Sequence, residues 1–206
     1  MRNLALFLAL ASRLAAAPPD PDFRHVLWGM SQAEVIATEA AKPAEIRQSG
    51  GETVVKYEPV TAELTGRLIY IFVHDKLVRA KYISNAEHSE HNDFIADFHA
   101  VEPLLAEKYG KPAANRAVWD SDEFQLERLP YLDQDRALAS NILPSDQNSG
   151  LSVSLGYLRL YTERLTPRTQ IVHALTGENS RIVHQIEYSS VELQDFEKTA
   201  LHPDYH

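Results

Sequence analysis

Apolar residues recur at helical spacing over residues 93–109, and this segment carries the longest amphipathic pattern in the chain. Its apolar stripe comprises Phe94, Ile95, Phe98, Val101, Leu105 and Tyr109. Repeats of three and four residues are typical of a helix that buries one face. We expect Asn92 to cap the first turn, and Gly110 and Pro112 to end the helix.

A second helix is predicted to begin at Ser31, because Ser31 and Glu34 have the spacing of a capping box. In this motif the serine hydroxyl accepts a hydrogen bond from the amide of the third helical residue, whose carboxylate accepts one from the serine amide. We expect this helix to end before Pro43, since the residue preceding a proline disfavours helical geometry.

Runs of β-branched and aromatic residues account for the other predicted elements. The predicted strands cover residues 53–58, 67–73, 77–83, 118–124, 151–155, 169–175 and 181–188. Residues 191–200 are predicted to form a short helix, and residues 126–149, rich in Pro, Asp and Asn, a long connection. The order of helix, strands, helix and strands indicates an α+β domain with an antiparallel sheet and helices packed on one face.

Two hairpins are predicted within this sheet. The first turns at residues 74–76 and brings one set of side chains together, namely Leu68, Tyr70 and Phe72 with Val78, Ala80 and Tyr82. The second turns at residues 177–180, which places residue 175 opposite residue 182 and His173 opposite His184. Both imidazoles are therefore expected on one face of the sheet.

The N-terminus has the three-part pattern of a signal peptide. A basic start precedes the apolar run of residues 4–11, and Ala15, Ala16 and Ala17 supply the small residues of a cleavage site. The run is too short to span a bilayer. We predict that residues 1–17 are a signal peptide and that the protein is periplasmic or secreted.

The remaining chain is predicted to consist of a tether and one domain. Residues 18–22 read Pro-Pro-Asp-Pro-Asp, a composition that disfavours regular structure. Residues 23–206 are long enough for one core, and 44% hydrophobic with 24% charged residues is typical of a globular protein. We therefore predict a single α+β domain over residues 23–206.

The charge balance disfavours nucleic acid as a partner. Loss of Arg2 and Arg13 with the signal peptide lowers Lys plus Arg from 20 to 18, while Asp plus Glu stays at 29, giving a net charge of −11. An acidic surface repels phosphate backbones and anionic lipid headgroups. The chain also has no cysteine, which excludes disulfides, thiolate chemistry and a lipid-anchored N-terminal cysteine. We expect no stable membrane anchor.

Two histidine pairs are candidate chemical sites. His88 and His91 lie among acidic and amide residues, but a zinc or nickel site needs three or four converging ligands, and a solvated loop before the long helix is the favoured interpretation. His173 and His184 are expected to be neighbours. Such a pair could bind metal or sense pH, because imidazole titrates near neutrality and adjacent cations repel; the alternative is a structural hydrogen-bonded pair.

Motifs of catalysis and cofactor binding are absent from the sequence. There is no G-x-S-x-G, no phosphate-binding glycine loop and no dinucleotide fingerprint. The carboxylates Asp120, Asp122 and Glu123 have the pattern of solvated acids. We assign no catalytic or cofactor-binding residue, expect no cofactor, and favour a protein that is not an enzyme.

Aromatic residues are the remaining candidates for a binding surface, because they often anchor interfaces. They are Trp28, Trp119, Tyr157 and Tyr161. Core packing is the alternative role, and it is the one expected for Trp28.

The string F-R-H-V-L-W-G-M-S-Q-A-E-V at residues 23–35 resembles the opening of a broad group of uncharacterised bacterial exported proteins and lipoproteins. D-F-I-A-D-F and K-Y-G-K-P within residues 93–112, with R-T-Q-I and I-E-Y-S-S near the end, extend the resemblance. The G-M-S-x-x-x-V portion is also similar to the helix entry of outer-membrane-assembly lipoproteins and of the β-lactamase inhibitor protein. The resemblance implies export and a helix-plus-sheet module, with no known activity.

Together these observations predict a non-catalytic exported protein, a periplasmic protein-binding module whose partner is another envelope protein. The alternative hypothesis is a small metal-dependent hydrolase or metal-binding protein that uses His173 with His184, or His88 with His91.

Overall fold

The computed structural model describes residues 20–119 and 149–201 of the chain. Some predictions fall outside these ranges: the signal peptide at residues 1–17, the carboxylates Asp120, Asp122 and Glu123, and the long connection up to residue 148. Within the described ranges, no helix is both long and apolar enough to cross a membrane.

The described residues form eight strands and four helices. The helices are α1 (Gln32–Thr38), α2 (His91–Tyr109), α3 (Ser149–Ser154) and α4 (Gln194–Leu201). The strands are β1 (Glu45–Ser49), β2 (Glu52–Thr61), β3 (Thr65–Val73), β4 (Lys76–Ser84), β5 (Ala114–Trp119), β6 (Leu158–Leu165), β7 (Thr169–Glu178) and β8 (Arg181–Ser190).

All described strands belong to one antiparallel sheet with the order β1-β2-β3-β4-β8-β7-β6-β5. Strands that follow one another in the chain pair with each other wherever the connection is short, and the β4–β8 pair joins the two halves of the sheet. This architecture confirms the predicted α+β class and its antiparallel sheet.

The helices cover the two faces of the sheet unequally. On one face, α1 and α2 contribute Val35, Val101 and Leu105 to the main core, and α3 contributes Val153 to an adjoining cluster. On the other face, α4 packs with Phe196 and other residues against Ile71, Val73 and Val78. The fourth helix therefore adds a layer opposite the other three, because the odd-numbered positions Ile69, Ile71 and Val73 of β3 are apolar as well.

The first hairpin differs from its predicted register. His74 and Asp75 form a two-residue turn with φ values of 45° and 60°. The predicted pairs of Tyr70 with Ala80 and of Leu68 with Tyr82 are confirmed. Phe72 instead pairs with Leu77 after a bulge, and the prediction for Val78 is wrong because the bulge moves it to the α4 face.

The second hairpin is tighter than predicted. Its turn consists of Asn179 and Ser180, with φ values of 51° and 63°. Leu175 then pairs with His184, and His173 pairs with Ile186. The predicted pairing of His173 with His184 is therefore wrong by two residues, but a shift of two keeps every side chain on its predicted face.

Residues 151–154 belong to α3 and Leu155 to the turn after it, so the strand predicted at residues 151–155 is wrong. Alternation over five residues does not separate a strand from a short helix. Close packing against α2 decides between them, since a Cβ on Gly150 would lie 2.4 Å from the backbone carbon of His91. Gly150 N also donates to Asn92 Oδ1 over 2.8 Å, and Val153 is buried.

The helix ends follow the predictions in part. The capping box of α1 is confirmed: Ser31 Oγ accepts from Glu34 N over 3.3 Å, and Ser31 N donates to Glu34 Oε2 over 2.8 Å. The N-cap of α2 is Glu90, without a side-chain hydrogen bond. The prediction for Asn92 is therefore wrong, because its amide oxygen binds α3 instead. Gly110, with φ of 83°, ends α2 as expected.

Candidate functional site

The two hairpin histidines meet in the interior of the protein. His173 on β7 and His184 on β8 have their Nε2 atoms 2.7 Å apart. The residues are 0% and 2% exposed, respectively. The sequence-based expectation that both imidazoles share a face is confirmed, and the register places them diagonally across the two strands.

A carboxylate from α2 completes the arrangement. Glu102 Oε1 lies 2.5 Å from His173 Nδ1 and accepts a hydrogen bond from Thr162 Oγ1 over 2.7 Å. Arg164 Nη2 donates to Glu102 Oε2 over 2.8 Å, and Arg164 Nη1 donates to Thr162 Oγ1 over 3.0 Å. Arg164 Nε donates to the carbonyl of Gly110 over 3.0 Å. A buried charge network therefore joins α2 to β6 and β7.

Sequence reasoning did not identify Glu102, Thr162 or Arg164, although a signal for Glu102 exists. It follows Phe98 by four residues and precedes Leu105 by three, which places a carboxylate beside the buried face of α2. Strand β6 was not predicted from the sequence. Its inward positions alternate, but only Leu158 and Leu160 are apolar, whereas Thr162 and Arg164 at the next two inward positions are polar.

The surroundings set the protonation of the network. Burial acts to raise the pKa of Glu102, but hydrogen bonds from His173, Arg164 and Thr162 outweigh it and hold this pKa at about 2. Burial lowers the pKa of His173, and the hydrogen bond to Glu102 offsets this only in part. Burial and the neighbouring His173 lower the pKa of His184 to about 3. At neutral pH, Glu102 is ionised and both imidazoles are neutral.

The partners then determine the tautomers. Because ionised Glu102 can only accept, His173 donates from Nδ1–H and presents a lone pair at Nε2. His184 consequently donates from Nε2–H to that lone pair. The result is one continuous chain from Arg164 through Glu102 and His173 to His184, in which one positive and one negative charge balance.

The histidine pair has the spacing of a hydrogen bond and not of shared metal ligation. Two nitrogens that each lie about 2.0–2.1 Å from a tetrahedral zinc are roughly 3.3 Å apart, whereas the Nε2 atoms of His173 and His184 are 2.7 Å apart. The region of the chain that the structure describes contains no group of three or more His, Cys, Asp or Glu side chains that could hold a metal ion.

The two histidines of the other candidate pair, His88 and His91, have different surroundings. His88 Nε2 lies 2.7 Å from Asp97 Oδ2, and its ring makes an edge contact with Phe94 at a centroid distance of 4.6 Å. His91 is an exposed residue of the first turn of α2. His88 thus stabilises the first turns of α2 through its contacts with Asp97 and Phe94.

A groove lies directly beside the charge network, between α2 and strands β5 and β6. We call it the α2–β5 groove; its volume is about 870 Å³, and its lining includes Phe98, Glu102, Pro103, Ala106, Asn115 and Arg164. Phe98 also stacks on His173, with ring centroids 4.0 Å apart and planes inclined by 12°. The groove and the histidine pair therefore share one wall, although neither histidine lines the groove.

The chemistry open to this site follows from its hydrogen bonds. Both oxygens of Glu102, both nitrogens of His173 and the hydroxyl of Thr162 are engaged within the network. A general base needs a free acceptor within reach of a substrate. The network therefore fixes the side chains at the base of the groove, and Glu102, with a pKa of about 2, is a weak proton acceptor there.

The aromatic candidates have different outcomes. Trp28 packs at the edge of the main core, and its Nε1 donates to Thr169 Oγ1 over 2.9 Å. Tyr157 is 41% exposed, while the Arg116 guanidinium lies 5.9 Å from the ring centroid of Tyr161. The side chain of Trp119 lies outside the described part of the structure.

Comparisons with protein-family models, curated proteins and solved structures found no match to this chain. The candidate site is therefore interpreted from its own geometry.

Proposed function

We propose that this protein is an exported, non-catalytic binding protein of the cell envelope, and that its α2–β5 groove takes an extended segment of another envelope protein. The observation that carries the proposal is the groove of about 870 Å³ backed by a buried, internally paired charge network. A concave site with apolar walls and a few fixed polar groups is typical of ligand binding.

The lining favours a peptide-like occupant. Small or rigid side chains, including Pro103, Ala106, Pro112 and Ala113, leave room for the side chains of a partner. Asn115 and the partly exposed carboxylate of Glu102 supply polar contacts that can orient it. The groove also runs beside β5, the outermost described strand on that side of the sheet, where an extended segment can add main-chain hydrogen bonds.

The side chains at the base of the groove, Glu102 and Arg164, are held rigidly, and this supports binding over catalysis. Arg164 is 1% exposed and holds α2 through Glu102 and the Gly110 carbonyl. A preformed site avoids the entropic cost of ordering its side chains when a partner binds. The pKa of Glu102, about 2, makes its carboxylate a weak general base, and both nitrogens of His173 are engaged in hydrogen bonds, which argues against a hydrolase.

Export and envelope location belong to the proposal and rest on the sequence. The basic start, apolar run and Ala15-Ala16-Ala17 favour a cleaved signal peptide, and the opening at residues 23–35 resembles exported proteins. N-terminal sequencing of protein from native cells is expected to begin near Pro18. Recovery of mature protein that retains Met1 would contradict export.

Partner capture tests the groove directly. We expect Ala106→Arg to place a long side chain in the groove and to weaken binding of an envelope partner at least tenfold. Ala100→Arg changes the exposed side of the same helix and should bind normally. The partner is first captured from envelope extract with the unmodified protein, and its affinity for both variants is then measured after purification. Equal affinity for both would rule out the groove.

The competing hypothesis is a small hydrolase, and the Glu102–His173–His184 chain favours it, since a carboxylate that orients an imidazole recurs in catalytic sites. It predicts turnover of a substrate that disappears in both His173→Ala and His184→Ala, with folding intact by circular dichroism. Such a result would replace the binding proposal.

A further inference from the structure

We infer that the His173–His184 pair is an acid-sensitive latch on the α2–β5 groove: uptake of protons by the pair releases residues 98–102 of α2 from the sheet and opens the groove. Its role in partner release rests on the proposed function above. The movement of α2 itself does not depend on that proposal.

The latch is built from direct contacts between α2 and the two histidines. Phe98 stacks on His173 and lies 6.0 Å from the ring centroid of His184. One turn later, Glu102 binds His173 Nδ1. Since Phe98 and Glu102 also line the groove, any displacement of the imidazoles from these two residues changes the shape of the groove.

The geometry allows the pair to hold one proton between its Nε2 atoms but not two. In the neutral pair, His184 donates to His173 across 2.7 Å. Protonation of both rings would set two N–H groups and two positive charges against each other in an interior where they are 0% and 2% exposed. Burial disfavours the first added charge, and the opposed charges and N–H groups disfavour the second, so protonation of both rings requires the contact to open.

The charged groups around the pair relieve this repulsion only in part. From β6, Arg164 adds a buried positive charge, and Glu102 of α2 is already paired with it. Asp97 of α2 favours a charge on His184, but its carboxylate also binds His88. His99 of α2 has its pKa lowered by burial, and α3 has no titratable side chain.

The direction of the response follows from these facts. Both histidines have a pKa below the ordinary 6.5 while α2 is docked. The equilibrium between docked and released α2 therefore favours the docked state above pH 6.5 and shifts toward release as the pH falls below 6.5. Each histidine changes the opening equilibrium by up to about tenfold per pH unit, and the pair by up to about 100-fold. Glu102, with a pKa of about 2, stays ionised over this range.

The absence of native cysteine permits a distance measurement by paired spin labels. Labels at Ala100→Cys on α2 and Arg181→Cys on β8 occupy exposed positions. We expect one distance population at pH 7.5 and a second, longer one that grows steeply between pH 6 and 5. His184→Gln, which can still donate to His173 Nε2 but does not titrate, should reduce the pH dependence to about tenfold per unit. His91→Gln, an exposed change on the same helix, should leave it unaltered.

Three outcomes would overturn the latch. The first two are a distance distribution that stays constant down to pH 5, and one that responds equally in the unmodified protein and in His184→Gln. The third is loss of the β-sheet signal by circular dichroism at the same pH, which would mean global unfolding. Because no partner is present, each of these failures leaves groove binding intact. Conversely, normal opening with equal partner affinity in Ala106→Arg would remove the proposed function alone.

Discussion

The guanidinium of Arg164 is almost fully buried, and at the scale of single residues its contacts explain how the structure tolerates it. Glu102, Thr162 and the Gly110 carbonyl accept from its three nitrogens. A buried charge without a partner is costly, while a paired and hydrogen-bonded one is tolerated. The network therefore depends on every member being present.

Removal of the charge of Glu102 alone should lower the free energy of unfolding more than removal of the charges of both Glu102 and Arg164. We expect Glu102→Gln to lower the free energy of unfolding by about 3–5 kcal/mol, because it leaves Arg164 buried and unpaired, and the double variant Glu102→Gln with Arg164→Met to lose less. Urea unfolding at pH 7.5 measures both. Glu63→Gln serves as the control, since its partner Lys108 is 52% exposed, and it should cost less than about 1 kcal/mol. A double variant that is at least as unstable as Glu102→Gln alone would contradict the pairing.

His88 and His91 are expected to be structural residues. Replacement of both with Ala should leave metal content unchanged and cost about 1 kcal/mol or less, because only the partly exposed hydrogen bond of His88 with Asp97 is lost. Elemental analysis with thermal unfolding checks this. Stoichiometric zinc in the unmodified protein that is absent from the variant would revive the metal hypothesis.

At the scale of elements, α3 shows how close packing selects a conformation. Gly150 and Gly177 both lie against backbone: a Cβ on Gly177 would come within 1.8 Å of the Val153 carbonyl oxygen, and one on Gly150 within 2.4 Å of the His91 carbonyl carbon. The short helix therefore fits between α2 and β7 only because both positions lack a side chain. It is this fit, and not the alternation of residues 151–155, that decides the local structure.

Gly177→Ala should consequently displace α3 and destabilise the fold by about 1–3 kcal/mol, the usual cost of overpacking. Gly50→Ala is the comparison, because no atom lies within 4 Å of its added Cβ and only the φ of 57° opposes it, at about 1–2 kcal/mol. Chemical unfolding of the two variants, with the α3 amides followed by hydrogen exchange, separates the effects. Unchanged protection of α3 in Gly177→Ala would contradict the close approach.

At the scale of the whole molecule, the sheet places its polar network at the junction of α2, β6, β7 and β8. That position links the protonation of two histidines to the stability of the domain. The pKa values of His173 and His184 are lowered in the folded protein, so the unfolded chain binds more protons as the pH falls below 6.5. The contribution of Glu102 is lost only below its unfolded pKa of 4.5, toward about 2.

The free energy of unfolding should accordingly fall between pH 7.5 and 5.5, by at most about 1.4 kcal/mol for each of the two histidines. Urea unfolding at the two pH values measures this loss, and His184→Gln should show a smaller one. A loss that is equal in the two proteins would mean that other groups control the acid response.

Several features could be predicted because their causes are local. The capping box of α1 needs only Ser31 and Glu34, and the apolar stripe of α2 needs only its own spacing. The shared face of His173 and His184 survived an error of two residues in register, because side chains alternate with a period of two. The α+β class followed from the order of such elements.

Tertiary structure decided the rest. Glu102 reaches His173 and Arg164 across 71 and 62 residues of sequence, and no local pattern encodes a contact at that separation. The placement of α4 on the far face, the helical form of α3 and the α2–β5 groove all depend on which surfaces meet once the sheet has formed. Local chemistry therefore specified α1, α2 and the shared face of the two histidines, since caps, apolar stripes and strand alternation depend on neighbouring residues. Only the fold determined the site, because burial and distant partners set its charges.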